Sequence, residues 1–489
     1  MNPKPSLILL SNRSPIIRAI TDEEVTNVNG SEMRQPKVVV IGAGSLFFGR
    51  QSIWQMVHSP YLNNGTLALV DTDEEKLSKM VRLARLVAQE NGVPLKVEGS
   101  TNRREVLRDA DFVVLSFAED SVKYRGIDCE VSLKYGIRMC SGDTIGPGGI
   151  FRAMRELPVI MECAKDIEEL CPDAWVINYI NPSTVHGIAL RRYAPKLKSF
   201  ALCDSHHMPH KKAYYAIRAG IIGDKSEFTE AIDRRFDFRV AGVNHFTWLL
   251  KAEFDGKDVM APIAEALRKS AGTENDGGDV GAKALHNDAI TYELYTVFGY
   301  IPTCTAHTKE YVRYWQGLGK TKDAIPPLKI WETEDRYKRH EEMWRQVDDF
   351  LSGNIPIGEY MSTFGPDHAT DIIENMVGNL GRRFFINTCN NGAVSNMNDD
   401  AFLELLCEVG MDGVKPLPVG DMPRGIRGMQ ELVLDTHELT AEAVVERSFA
   451  KLRRAMLTDP LVNSIGDADM IIKELLEREK DMIPKCWYE

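Results

Sequence analysis

No two of the nine cysteines stand in a CxxC pair, and their number is odd. That argues against a disulfide framework and against a structural zinc ribbon, and it fits reduced thiols in a cytoplasmic setting. No apolar run reaches the roughly 18 residues that a membrane-spanning helix needs, so no membrane is expected as a partner. Lys and Arg form no block, and the formal net charge is -12, which speaks against nucleic acid as a partner. There is no internal repeat, no low-complexity tract and no linker composition that cuts the chain into independent units. What remains is a chain of 489 residues with 44% hydrophobic and 27% charged side chains, enough for two intimately joined domains around a closed cleft.

Residues 1–35 carry a short apolar stretch, Leu7-Ile8-Leu9-Leu10, too short for a signal-peptide core and followed by no small-residue cleavage site. They are expected to be an extension, disordered or loosely docked, with Met33 an alternative start. Regular structure begins at Lys37-Val38-Val39-Val40-Ile41, a run of β-branched residues suited to a strand buried on both faces. Strands are then expected at 66–70, 97–100, 112–117, 174–180 and 199–203, with helices near 46–56, 74–91, 103–107 and 151–170. This alternation predicts an α/β chain with a Rossmann-like, doubly wound parallel sheet over 36–203. Residues 204–489 are expected to form a mixed α+β domain for substrate and metal, packed on the first as in lactate and malate dehydrogenases. Its strands are placed at 238–243 and 247–254, and its helices at 282–298, 327–352, 368–378, 399–408, 440–457 and 466–482. The Gly- and Asp-rich stretch 272–281 reads as a mobile loop.

Gly42-Ala43-Gly44-Ser45 follows the first strand and precedes a helix. The first glycine suits a tight turn and the second a close approach of backbone to a pyrophosphate, which the helix N-terminus would then hold. Phe47 takes the third glycine's place and Gly49 stands two residues later. Asp71, at the end of the second strand, suits ribose hydroxyls and would repel a 2′-phosphate, so NAD is expected rather than NADP.

Unusual residues gather where strands end. Asn181-Pro182 ends one strand, Cys203 the next, and Asn244-His245 a third. A thiolate and an imidazole there could share a divalent cation, although a buried thiol and a hydrogen-bonded core histidine are the plainer reading of such residue types. Asp143 lies in Gly142-Asp143-Thr144-Ile145-Gly146-Pro147-Gly148-Gly149. It could stand rigidly over a cleft, or simply cap a helix beginning near residue 150. His206, His207 and His210 could recognise a polar or anionic sugar substituent, but read better as a solvated helix start.

Taken together, these motifs resemble glycoside hydrolase family four, the NAD- and metal-dependent exceptions to two-carboxylate hydrolysis. The resemblance is carried by Val39–Ser45, Lys134–Ile137, Gly142–Gly149, Asn178–Pro182, Leu202-Cys203 and Gly242–His245. It continues through Phe298-Gly299-Tyr300, His307-Thr308-Lys309-Glu310-Tyr311, Asn390–Asn396 and Pro416–Pro423. The stretch 298–311 looks like the α-glycosidase branch.

The resemblance implies Mn2+ or another divalent cation on Cys203 and His245, and NAD on Gly42, Gly44, Ser45, Asp71 and Asn181. It further implies Asn181 and Asn244 toward the sugar, and Asp143 as the acid that assists the leaving group. The implied reaction oxidises C3 of an α-linked, non-phosphorylated hexoside or hexuronide. It then removes the C2 proton, eliminates the aglycone, adds water and returns the hydride. Tyr292, Tyr300 and His307 are candidates by location for the C2 base. A homodimer or homotetramer is implied by analogy. Two other readings share the nucleotide fold: an NAD-dependent 2-hydroxy acid dehydrogenase, and a nucleotide-binding protein without catalysis.

Overall fold

The computed structural model describes residues 35–489, leaving out 46–47, 204–205, 274–275, 277–285, 305, 320–324 and 366. The expected N-terminal extension lies outside the described residues, apart from Gln35, as does most of the expected loop at 272–281. No helix among the described residues is long and apolar enough to cross a membrane.

The first six strands are β1 (Lys37–Ile41), β2 (Thr66–Val70), β3 (Lys96–Ser100), β4 (Phe112–Leu115), β5 (Trp175–Asn178) and β6 (Lys198–Ala201). They pair in parallel in the order β3-β2-β1-β4-β5-β6. This is the doubly wound dinucleotide order, with the switch point beside β1. β1 is buried along nearly its whole length, and β4 and β5 are buried throughout, because helices cover both faces.

Seven further strands follow: β7 (Phe236–Gly242), β8 (Trp248–Phe254), β9 (Lys257–Asp258), β10 (Ile301–Pro302), β11 (Arg383–Cys389), β12 (Phe402–Gly410) and β13 (Gly413–Pro416). They do not make a separate sheet. β11 pairs antiparallel with β6, and β12, β7, β8 and β10 continue outward, with β13 on β12 and β9 on β8. The registers set Ala201, Asn387, Glu404 and Gly242 side by side in one row across the join.

Several elements of this half differ from expectation: β9, β10 and β13 were not foreseen, and the helix expected at 440–457 is two, Arg424–Glu446 and Phe449–Thr458. Residues 399–408 were predicted helical, yet Phe402–Gly410 is a strand, and β11 was not foreseen. Phe402-Leu403-Glu404-Leu405-Leu406 is rich in strong helix formers. The strand wins because β11 and β7 flank it on both edges and Phe402 through Leu405 are all buried. A long helix, Ser121–Lys134, was also unforeseen, and the next begins at Gly146 rather than near 150. One large core fills the dinucleotide half and the C-terminal helices. A smaller core sits between β7, β8 and the helices His210–Arg218 and Met260–Ser270.

Candidate active site

At the end of β1, Gly42 has φ +95° and passes so close to β4 that a Cβ would lie 2.4 Å from the Ser116 carbonyl oxygen. Its N–H and that of Ala43 donate to Val70 O at 2.8 and 2.9 Å, fixing the turn against β2. The Asp71 carboxylate is held beside it, accepting from Gly44 N at 2.7 Å and from Asp73 N at 3.0 Å. Ser45 N donates to Gly42 O at 2.9 Å. Gly49 permits a close approach: a Cβ there would meet Ala43 O at 2.7 Å, so it lets the helix Phe48–His58 approach the turn. All four predicted residues of the glycine turn and β2 end are thus brought together.

Asp143 sits on a loop held from two sides. Glu310 Oε1 accepts the N–H groups of Ser141 at 2.5 Å and Gly142 at 3.3 Å, and that of Cys140 as well. Arg125, from the helix Ser121–Lys134, grips Ser141 O through Nε at 3.0 Å and Nη2 at 2.7 Å. The buried Asp143 carboxylate accepts from Ser141 Oγ at 2.7 Å, Arg152 Nη1 at 3.2 Å and Asn181 Nδ2 at 3.3 Å, with Arg125 Nη2 also 3.3 Å away. Burial opposes its ionisation, but Arg125 and Arg152, followed by His307 and His245, hold it well below the usual carboxylate range. It caps no helix: the helix Gly146–Leu170 has no side-chain cap, and Gly146 N donates to Asp459 Oδ2 at 2.7 Å.

His245 and His307 complete the site. One donor atom from each of Asp143, His245 and His307 lies within 4.8 Å of the others, and this is the metal-competent group of three found among the described residues. The Nδ1 atoms of both histidines are buried without a hydrogen-bond partner. Burial pushes both imidazoles down to about 4, so near pH 7 each is neutral with a lone pair free for a cation. His245 adopts φ +64°, a left-handed conformation of a kind that concentrates at functional sites.

Cys203 follows β6 and is buried, with its carbonyl oxygen 3.1 Å from His368 Nδ1; it is not one of the group of three. Asn244 is engaged at both ends of its amide, accepting from Ser183 Oγ at 2.8 Å and donating to Glu404 Oε2 at 3.3 Å. Its carbonyl accepts from Tyr311 Oη at 2.9 Å. It therefore positions the turn that bears His245 rather than extending a free amide to a sugar. Of the three proton-acceptor candidates, only His307 joins Asp143; Tyr292 packs on the smaller core and Tyr300 on the larger.

The histidines after Cys203 are not a solvated helix start as expected. His206 is fully buried, with Nδ1 2.7 Å from Glu404 Oε1 and Nε2 2.9 Å from Thr303 Oγ1. His207 is half-buried against Asp371 at 3.0 Å, and only His210 is exposed. Arg125, Arg152, Glu310 and Glu404 were not foreseen either. Glu310 lay in a motif already singled out, and its charge amid Tyr and Thr was the available signal. Nothing local marked Glu404, which looks like one acid in an apolar segment.

Fold and site together define a Rossmann-like α/β enzyme with a carboxylate–imidazole centre beyond its glycine turn. The sequence model of the family 4 glycosyl hydrolases matches residues 37–215, and that of their C-terminal domain matches 240–462; the chain belongs to glycosyl hydrolase family 4. A probable 6-phospho-beta-glucosidase of Bacillus subtilis is 30% identical over 92% of this chain and 97% of its own length. The alpha-galactosidase of the same organism is 28% identical over 92% of this chain and 99% of its own. The structure of a 6-phospho-alpha-glucosidase from gut microorganisms, in complex with NAD and Mn2+, is similar with a TM-score of 0.74 at 21% identity, over 92% of this chain and 99% of that one.

Proposed function

We propose that this protein hydrolyses an α-linked hexoside or hexuronide without a 6-phosphate, using NAD and a divalent cation such as Mn2+. The observation that carries this reading is the Asp143–His245–His307 group, whose two histidine Nδ1 atoms are buried and unpartnered, with Asn181 against Asp143. An orphaned Nδ1 on each of two neutral histidines fits a divalent ion, and the close-packed turn at Gly42 with the Asp71 carboxylate fits a dinucleotide. The α-galactosidase relative and the resemblance of 298–311 to the α branch support the choice of sugar.

When bound, NAD would accept and return a hydride at the sugar's C3, and the cation would polarise the neighbouring oxygens. The chain does the rest. Gly42, Gly44 and Ser45 would offer backbone to the cofactor, and Asp71 would accept from its ribose. Asn181, whose Nδ2 donates to Asp143 at 3.3 Å, would orient sugar hydroxyls beside it. Asp143, held ionised, suits a cation ligand or a proton acceptor; an acid role would need a proton that Arg125 and Arg152 disfavour. The family resemblance, and not the group of three, is what keeps Cys203 as a further thiolate donor, and a thiolate there would make the enzyme sensitive to oxidation.

A panel of aryl α-galactoside, α-glucoside, α-galacturonide and α-glucuronide, with NAD, Mn2+ and a thiol reductant, tests the reading. Aglycone should be released without net NADH, and the freed sugar should carry solvent deuterium at C2. Steady accumulation of NADH would instead mark a dehydrogenase. Cleavage independent of added NAD and Mn2+, in protein stripped of both, would overturn the reading.

A further inference from the structure

The segment entering the helix Thr333–Ser352 is tied to the Asp143 loop, since Trp331 N donates to Met139 O at 3.0 Å. Two guanidiniums lie over the Trp331 ring: Arg125 Cζ at 4.0 Å and Arg336 Cζ at 4.6 Å from its centroid. Arg125 reaches Asp143 at 3.3 Å. Arg336 is therefore one indole ring removed from the cation that touches the candidate centre.

Arg336 lacks the acid that three more deeply enclosed arginines have. Arg152 meets Asp143, Arg155 meets Asp128 and Glu479, and Arg218 meets Asp288. Arg336 is half-buried, and no carboxylate forms an ion pair with it among the described residues. Burial, followed by the like charges of Arg125 and Arg339, disfavours its charged form, and Asp143 is the acid that opposes them. A guanidinium withdrawn from water beside other cations is costly until an anion arrives. Its position along the helix says which anion. One turn further on, His340 feels Arg336 and Arg125 ahead of Lys76, whose side chain lies beside Gly44. Arg336 shares the Trp331 ring with Arg125, which reaches Asp143, so it belongs to the Asp143 end of the site, where the sugar is proposed to sit.

We propose that Arg336, braced on Trp331 beside Arg125, is the specificity residue of the sugar subsite, and that the sugar is a hexuronide whose carboxylate it takes. This rests on the glycosidase reading above and narrows its substrate. A planar guanidinium donates to both oxygens of a carboxylate in one fork, which a neutral hydroxymethyl group cannot match.

The test compares kcat/KM for aryl α-galacturonide, α-galactoside and α-galactoside 6-phosphate in the wild-type holoenzyme, Arg336→Met, Arg336→Lys and Arg339→Met. Wild type should favour the uronide. Arg336→Met should reduce the uronide-to-galactoside ratio by about 10- to 100-fold, the worth of one charge-assisted pair. Arg336→Lys should restore part of it, and Arg339→Met should leave it unchanged. Calorimetry of free galacturonate and galactose on the wild type gives a second reading that needs no variant, with galacturonate binding more tightly. A wild type indifferent to the acid group overturns the subsite while leaving the glycosidase reading intact. Preference for the 6-phosphate overturns the carboxylate assignment, and so does an Arg336→Met variant that weakens NAD with no change in sugar selectivity. Absence of cleavage of every glycoside, with galacturonate still bound more tightly than galactose, marks failure of the glycosidase reading and not of the subsite.

Discussion

The imidazoles of His245 and His307 stack with centroids 4.0 Å apart and planes 8° from parallel, one from the end of β7 and the other from the segment after β10. Two neutral rings set face to face, each with an unpaired nitrogen, bring two candidate cation donors close to the Asp143 carboxylate.

Removing either ring should therefore cost cation affinity before it costs the fold. His307→Ala is expected to weaken Mn2+ binding by at least about 100-fold, since losing only an outer-shell partner of a metal site already costs 10- to 100-fold. Titration followed by electron paramagnetic resonance of free Mn2+ reads this directly. An unchanged Mn2+ dissociation constant in both His307→Ala and His245→Ala would remove these residues from the metal site.

Gly42→Ala should damage the cofactor end selectively. The new Cβ would lie 2.4 Å from Ser116 O on a backbone at φ +95°, so either β4 or the turn must give way. A loss of roughly 1–3 kcal/mol in stability is expected from the strain. NAD titration by calorimetry should show binding much weaker than in wild type, and equal affinity would mean that this turn does not hold the dinucleotide.

Glu404 joins the segment after Cys203 to the turn that bears His245, accepting from Asn244 and contacting His206 with one oxygen each. Glu404→Ala strands both partners in a dry interior, which should cost about 2–4 kcal/mol in urea unfolding. Activity should fall mainly in kcat, because groups around the reacting centre lose their aim while the outer cleft stays intact. A variant with wild-type kcat would show that the network only supports the fold.

Stability should decline with pH because of Glu156. Burial lifts its carboxyl from 4.5 to about 7, against the pull of Arg152 and Arg155. The native state then holds this proton more tightly than the unfolded chain. The contribution is fully present below about pH 4.5 and is lost as pH climbs through about 7. Glu156→Gln should flatten the thermal-stability profile over that window, by roughly 2–3 kcal/mol at its upper end. Parallel profiles for the two proteins would show that Glu156 is ionised in the folded state throughout.

The dinucleotide half was legible because each of its signals is local. A buried apolar run, a glycine pair and an acid at the next strand end occur within short stretches, and β1, β2, Gly42, Gly44 and Asp71 lie where they were expected. The other half was not, because partners distant in sequence decide it. Glu404 looks like a helix residue until β11 and β7 enclose it, and His206 looks solvated until Glu404 and Thr303 meet it. His307 stood among three candidates for the C2 base, and only the fold sets its ring on His245. Asp143 was found from its glycines, but its charge state comes from Arg125 and Arg152, on two helices whose starts were misjudged or missed.

Ala201, Asn387, Glu404 and Gly242 form one hydrogen-bonded course beneath the cleft. It ties the strand before Cys203 to the strand before His245 through two intermediaries, so a substitution at Asn387 or Glu404 would be felt on both sides of the join.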